Sequence, residues 1–218
     1  MGRDCSGTLS RRACEMKQNR LIAIAIFIGV AVTLSPALTA QAVSWRIDPL
    51  HSSAQFSVRH MMISTVRGQL GGIKGTVLYD SKNPAASSVE ATIDCTTVNT
   101  GVIKRDTALK TPEFFDVKRY PALTFKSKSV AVAGPGKLKV TGDLTINAIT
   151  RQVILDVDGP TSPIRDTEGR EKIGLSGSTK ISRKEFGFLY NPVMETGGVA
   201  VSDEVSINLE IELIKNQN

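Results

Sequence analysis

The chain reads as an all-β, antiparallel fold, and three observations carry that reading. Apolar residues recur with period two from residue 43 onward, turn-forming clusters separate the runs, and no segment has the length and period of a crossover helix. Each run places one face inward: Ala54-Phe56-Val58, Gly75-Val77-Tyr79, Val89-Ala91-Ile93, Leu123-Phe125, Leu138-Val140, Leu144-Ile146, Val153-Leu155-Val157, Ile173-Leu175 and Val205-Ile207-Leu209-Ile211-Leu213. Between them, Asp80-Ser81-Lys82-Asn83-Pro84, Ala133-Gly134-Pro135-Gly136 and Asp158-Gly159-Pro160 carry the residues that tight turns require. The single helical candidate is Arg105 to Phe115, with Asp106 as a cap and Thr111-Pro112-Glu113 opening a second short turn. About eight or nine strands build either a two-sheet sandwich or a closed barrel, and closure has the advantage of removing exposed edges. Trp45, the sole tryptophan, stands just ahead of Ile47, a placement that predicts a core or end-plug role.

The 218 residues, 41% hydrophobic and 22% charged, suit one globular domain with a short appendage, and exclude collagen-like, disulfide-scaffold and compositionally disordered chains. The appendage is N-terminal. Leu21 to Leu34 is an apolar run shorter than the roughly 18 to 20 residues of a membrane span. Lys17 and Arg20 precede it, Pro36 follows it, and Ala40-Gln41-Ala42 supplies a small-x-small cleavage pattern. Residues 1–42 therefore read as a Sec-type signal peptide cut after Ala42, leaving a periplasmic domain at 43–218 with no stable membrane span. Met16 opens a signal of ordinary proportions, which places the expected start there, residues 1–15 being untranslated and Met1 the alternative. A twin-arginine reading of Ser10-Arg11-Arg12 is the competitor, weakened by Cys14 and Glu15 and by its distance from the apolar run. Five of the basic residues and two of the acidic ones precede position 43, so the formal +6 falls to +3 in the domain, which argues against nucleic acid as a partner.

Reactive constellations are scarce. Cys5 and Cys14 precede the cut, so Cys95 is left alone and cannot make an intramolecular disulfide; its alternation with Ile93 and Ala91 predicts a buried strand position. His51 and His60 are the only histidines, too few for a three-histidine zinc site. His60-Met61-Met62 offers imidazole and thioether donors to copper, a weaker reading than structural histidines. Neither a nucleophile elbow nor a phosphate-binding loop is present, and Gly134-Pro135-Gly136-Lys137 reads as a hairpin turn. The chain is expected to have no catalytic residues, no metal and no cofactor.

Ordered blocks then point to a family. Trp45-Arg46-Ile47-Asp48-Pro49-x-His51-Ser52, Phe56-x-Val58-x-His60-Met61, Ser64-Thr65-Val66-Arg67-Gly68, Arg105-Asp106-x-x-Leu109 with Phe114-Phe115-Asp116, Tyr120-Pro121-x-x-Thr124-Phe125, Gly142-Asp143-Leu144-Thr145-Ile146 with Thr150, Arg183-x-Glu185-Phe186-Gly187 and Asp203-Glu204-Val205 together resemble the YceI-like proteins, a polyisoprenoid-binding family of exported bacterial proteins. The resemblance spans essentially the whole domain. It implies an extended eight-stranded antiparallel lipocalin-like barrel around a long apolar channel, an isoprenoid-type amphiphile inside, and a homodimer. Family members often carry histidine at the position of Ala108, a basic residue or histidine with glycine at Asn147-Ala148, and phenylalanine at Leu70; the first two departures bear on polar contacts near a ligand's head.

Strand alternation leaves a filled core and a cavity equally open, and the resemblance favours the cavity. Phe56, Val58, Val77, Ile93, Phe125, Leu144, Ile146 and Ile207, with Leu109, Phe114 and Phe115 from the helical insertion at the mouth, are then the expected channel lining. A one-residue slip would instead turn Arg59, Glu90 or Lys126 inward. Arg105-Asp106 and Arg183-x-Glu185 are expected to clamp loops in preference to holding a ligand head. The leading functional expectation is a periplasmic carrier for a long-chain isoprenoid lipid, such as a quinone or its precursor. The alternatives are a stress-associated barrel acting through protein partners and, with least support, an enzyme on such a lipid.

Overall fold

The computed structural model describes residues 42–192 and 198–217. The expected signal segment, with Cys5, Cys14 and Met16, lies outside the described residues. Eleven strands form one antiparallel sheet: β1 (Val43–Ile47), β2 (Ser53–His60), β3 (Ser64–Leu70), β4 (Lys74–Tyr79), β5 (Ser88–Asp94), β6 (Ala122–Gly134), β7 (Lys137–Ile146), β8 (Ile149–Asp158), β9 (Ile164–Arg165), β10 (Glu171–Ser182) and β11 (Glu204–Lys215). Eight of them close on themselves in the order β1-β4-β5-β6-β7-β8-β10-β11, the ring being completed by β11 against both β10 and β1. The expected eight-stranded barrel is therefore the observed one.

The remaining strands extend the wall. β11 is long enough for β1 to pair with its C-terminal end and β2 with its middle, so β1-β2 and β3-β4 form one long hairpin broken at residues 48–52 and 71–73. The break is pinned by polar contacts. Asp48 N donates to the Glu212 carbonyl at 2.8 Å, and Ser52 Oγ accepts from Glu212 N at 3.0 Å. On the outer face Lys172 is buried among Glu212 (2.6 Å), Asp48 (3.4 Å) and Asp166 (3.7 Å), and His51 Nδ1 lies 2.9 Å from Asp48. Burial would raise the Asp48 carboxyl, but hydrogen bonds from His51, Leu50 N and Lys172 outweigh it and hold the group below its usual range. The Asp48-Pro49-x-His51-Ser52 block is thus the fastening of the broken hairpin.

Two sequence expectations need correction. The helix α1 spans Ile103–Leu109, not Arg105 to Phe115, and Asp106 lies within its first turn; the N-cap is Val102, with no side-chain cap. Asp106 Oδ1 instead accepts from both Thr100 N (2.8 Å) and Thr100 Oγ1 (2.5 Å), holding the loop before the helix. Residues 111–116 are hydrogen-bonded turns, with Phe114 N and Asp116 N both donating to the Thr111 carbonyl. Cys95 is buried as expected, but it opens a 3-10 turn, Cys95–Thr97, one residue beyond β5.

Candidate functional site

A cavity of about 640 Å³ runs through the barrel. Its length is set by β10 and β11, where five successive inward pairs line it: Ile173 with Leu213, Leu175 with Ile211, Gly177 with Leu209, Thr179 with Ile207 and Ile181 with Val205. Eight residue steps along a strand correspond to about 27 Å. The opposite wall comes from the cross-strand pairs Val77 with Val89, Ala91 with Phe125, Ile93 with Leu123, Phe125 with Leu144 and Ile146 with Ile149, all but Ile149 on the cavity surface.

All eleven residues expected as lining lie on this surface: Phe56, Val58, Val77, Ile93, Leu109, Phe114, Phe115, Phe125, Leu144, Ile146 and Ile207. They are held there by alternation and by close backbone approach. The Phe56 and Phe125 rings lie over Gly68 and Gly142, where an added Cβ would meet ring atoms at 2.3 and 2.5 Å. Glycine at those two positions makes room for the rings inside the barrel.

The expected lining left out part of the wall. Val130, Val140 and Val157 form a second apolar cluster near the β6-β7 hairpin, with Leu138 and Leu155 against it. The inward runs Leu138-Val140 and Val153-Leu155-Val157 already held all of these except Val130, which lay outside the pattern. Val130 faces inward because a bulge between Ser127 and Ser129 shifts the phase of β6 after Phe125. Phe188 and Tyr190 belong to an aperiodic loop and had no periodic signal. They complete an aromatic group with the insertion: Phe115 meets Phe188 edge-on at 5.3 Å, and Phe114 lies 5.5 Å from Tyr190.

Polar side chains reach the cavity at both ends, Ser87 and Ser88 where β5 begins and a second group beside the β2-β3 turn and the insertion. His60 and Tyr190, both exposed, and Arg105, Glu113 and Thr100 reach the cavity there. Arg105 is committed to the loop, donating from Nε to Thr100 Oγ1 (2.7 Å) and from Nη2 to the Thr100 carbonyl (3.0 Å). Arg183, only 6% exposed, also touches the cavity, yet its guanidinium donates to the carbonyls of Ser202, Val201 and Phe188. Burial lowers its pKa, and the charge of Asp203 opposes that shift. Both arginines clamp loops, and neither pairs with the acidic neighbour in its motif. His51 stands outside the cavity in the Lys172 network, and His60 stands at its rim.

The Asp48, His51 and Glu212 ligand atoms come within 4.8 Å of one another. The Lys172 ammonium, 2.6 Å from Glu212, already supplies the positive charge there, so this triad is an ion-pair network. A predominantly apolar wall whose charged groups stand at its ends suits an elongated apolar molecule and disfavours a charged solute.

Comparison with known proteins agrees with this architecture. The YceI-like domain profile matches residues 45–213. A UPF0312 protein of Vibrio parahaemolyticus is 32% identical over 189 residues, covering 86% of this chain and 95% of the relative. The crystal structure of BcnA from Burkholderia cenocepacia superposes with a TM-score of 0.65 at 25% identity, covering 76% of this chain and 98% of BcnA. A polyisoprenoid binding domain from Saccharophagus degradans shares the fold, with a TM-score of 0.58 at 13% identity over 80% of this chain and 99% of that domain. From the barrel, the ordered sequence blocks and the profile match together, the chain belongs to the YceI-like family.

Proposed function

We propose that this protein is a periplasmic carrier that holds a long-chain isoprenoid amphiphile, such as a quinone or quinone precursor, in the barrel cavity without transforming it. The observation that carries the reading is the continuous apolar wall along five paired positions of β10 and β11 around about 640 Å³. Energetics support it: a buried CH₂ contributes about 0.8 kcal/mol, so each five-carbon unit adds roughly 3 to 4 kcal/mol gross against an association cost of some 4 to 15. The Saccharophagus degradans domain, described as polyisoprenoid binding, supports the ligand class. The aromatic group at the insertion gives the tail an amphipathic gate, and Ala108, exposed on the cavity rim, leaves space beside it. The carrier reading is tested by organic extraction of the purified protein and mass spectrometry. A stoichiometric isoprenoid lipid is expected, and a cavity that stays free of lipid after isolation from membrane-containing lysate overturns it.

Export is part of the proposal and rests on the signal features before Ala42, with β1 opening at Val43. N-terminal sequencing of the protein from the periplasmic fraction is expected to read Val43-Ser44-Trp45. An intact N-terminus in the membrane fraction contradicts it.

A further inference from the structure

The β2-β3 turn is built against its own interests. The connection is three residues long, His60 pairing with Ser64, and its turn, closed by Ile63 N donating to the His60 carbonyl, takes positive φ at both central residues, a conformation that favours asparagine and glycine. Here those positions are Met61 (φ 48°) and Met62 (φ 60°), and they are followed by Ile63. The turn also exposes what it holds: Met62 is 56% and Ile63 77% accessible. Backbone strain and three adjacent exposed apolar side chains are two separate costs at one site.

The neighbouring loop repeats the pattern. Met61 N donates to the Ala200 carbonyl at 2.8 Å, His60 pairs with Val201, and Asn191 Oδ1 accepts from Ala200 N and Val201 N. These bonds hold Asn191 and the chain from Val199 to Val201 at the turn, and Leu189, 70% exposed, precedes Asn191 by two residues, with the exposed Tyr190 between them. His60, Tyr190 and Val201 belong at once to this apex and to the cavity wall, so the exposed apolar surface adjoins the cavity mouth. Cations surround it. Arg59 braces the turn by donating to the Met62 carbonyl and Thr65 Oγ1. Among the described residues of this end, Arg59, Arg67, Lys104 and Lys184 are exposed and outnumber the exposed Glu113 and Glu185, and none of these six is ion-paired with a described residue. Glu204, also exposed, is paired with Lys180.

We propose that the Met61-Met62-Ile63 turn and Leu189 form a membrane-docking apex, which inserts into an anionic bilayer surface and brings the cavity mouth against the lipid phase. Shallow insertion of exposed apolar side chains beside flanking cations is the recognised physics of interfacial attachment, and tyrosine suits the headgroup level. The exit of a lipid tail then never crosses water. Docking itself does not depend on the carrier reading; only the loading step rests on it.

The test is co-sedimentation of the full chain with vesicles of phosphatidylcholine and phosphatidylglycerol, comparing wild type with M61N/M62G and with I63S/L189S. Every protein carries the same N-terminal segment, so a difference reports the apex. M61N/M62G is expected to raise the melting temperature, since it relieves both positive-φ positions, and yet to reduce the pelleted fraction several-fold. I63S/L189S is expected to reduce pelleting with the melting temperature unchanged. Variants that pellet like wild type overturn the proposal, as does wild type that does not pellet. A wild-type dimer that these variants convert to monomer also overturns it, showing that a second copy covers the apex. In parallel, uptake of a labelled polyprenol from vesicles should slow in the variants while uptake from detergent solution is retained. Docking lost in the variants with no polyprenol taken up by any protein by either route upholds the apex and defeats the carrier reading alone.

Discussion

At Ala148 a methyl side chain occupies a left-handed backbone position, φ 61°, as the second central residue of the turn between β7 and β8. Asn147 before it tolerates φ 49° and uses its side-chain nitrogen to hold the Phe114 carbonyl, tying the turn to the insertion. Ala148 is exposed, so glycine there removes strain without removing packing. Ala148→Gly is expected to stabilise the protein by about 1 kcal/mol, read from the denaturant midpoint at constant slope. Cys95 illustrates the opposite case, a residue whose surroundings suppress its chemistry. It is 1% exposed, and burial, with the Asp94 charge adding, pushes its thiol up to about 11. Alkylation at pH 8 is expected to be negligible in the native protein and fast in denaturant; rapid native labelling would contradict the burial. The alternation of Ala91, Ile93 and Cys95 made that burial legible in the sequence, whereas the end of β5 one residue earlier left no mark on the pattern.

Elements were legible wherever period two ran unbroken, as in β8, β10 and β11. They were less legible where the register changes. The bulge at Ser127 and Ser129 moves the inward phase of β6 from Phe125 to Val130, and no residue type there announces it. β3 carries Ser64-Thr65-Val66-Arg67-Gly68, too few apolar residues to read as a strand, and it pairs with β2 because Val58 and Val66 share the inner face. The short connection from β9 to β10 depends on electrostatics more than on pattern. Asp166 accepts from Glu168 N, Arg170 N and Arg170 Nε, the last at 2.7 Å. Burial would raise this carboxyl, but those bonds and the Arg170 charge bring it down from 3.8 to about 2. Because the folded value lies below the unfolded one, the stabilisation is complete above about pH 4 and is lost as pH falls through about 2. Asp166→Asn should therefore lower the melting temperature at neutral pH, with a deficit that is constant down to about pH 4 and narrows below it. A deficit independent of pH over that range would show that packing, not the carboxylate, holds the turn.

For the whole molecule, closure was the inference furthest from any single residue, and it follows from β11 being long enough to pair β10 on one side and both β1 and β2 on the other. Whether the closed interior is filled could not be read from alternation, since a core and a cavity present the same inward phase. The distinction lies in side-chain volume against barrel width, which includes where rings can lie flat against the wall, as Phe56 and Phe125 do over Gly68 and Gly142. A pair of substitutions reads that difference directly. Phe125 lines the cavity with its ring over Gly142, and Ala91 faces it across the β5-β6 ladder. Removing a tightly packed phenylalanine costs roughly 3 to 5 kcal/mol, but a ring with one side on open space has fewer contacts to lose, so Phe125→Ala is expected to cost less than that range. Ala91→Phe should project a ring into the cavity without colliding with a filled core, giving a folded barrel with near-native melting and a sharply reduced content of extractable lipid. Calorimetry and lipid analysis of the two variants check both halves: a Phe125→Ala loss above 5 kcal/mol together with an unfolded Ala91→Phe would show that the space closes in solution, since overpacking a solid core is as damaging as emptying it.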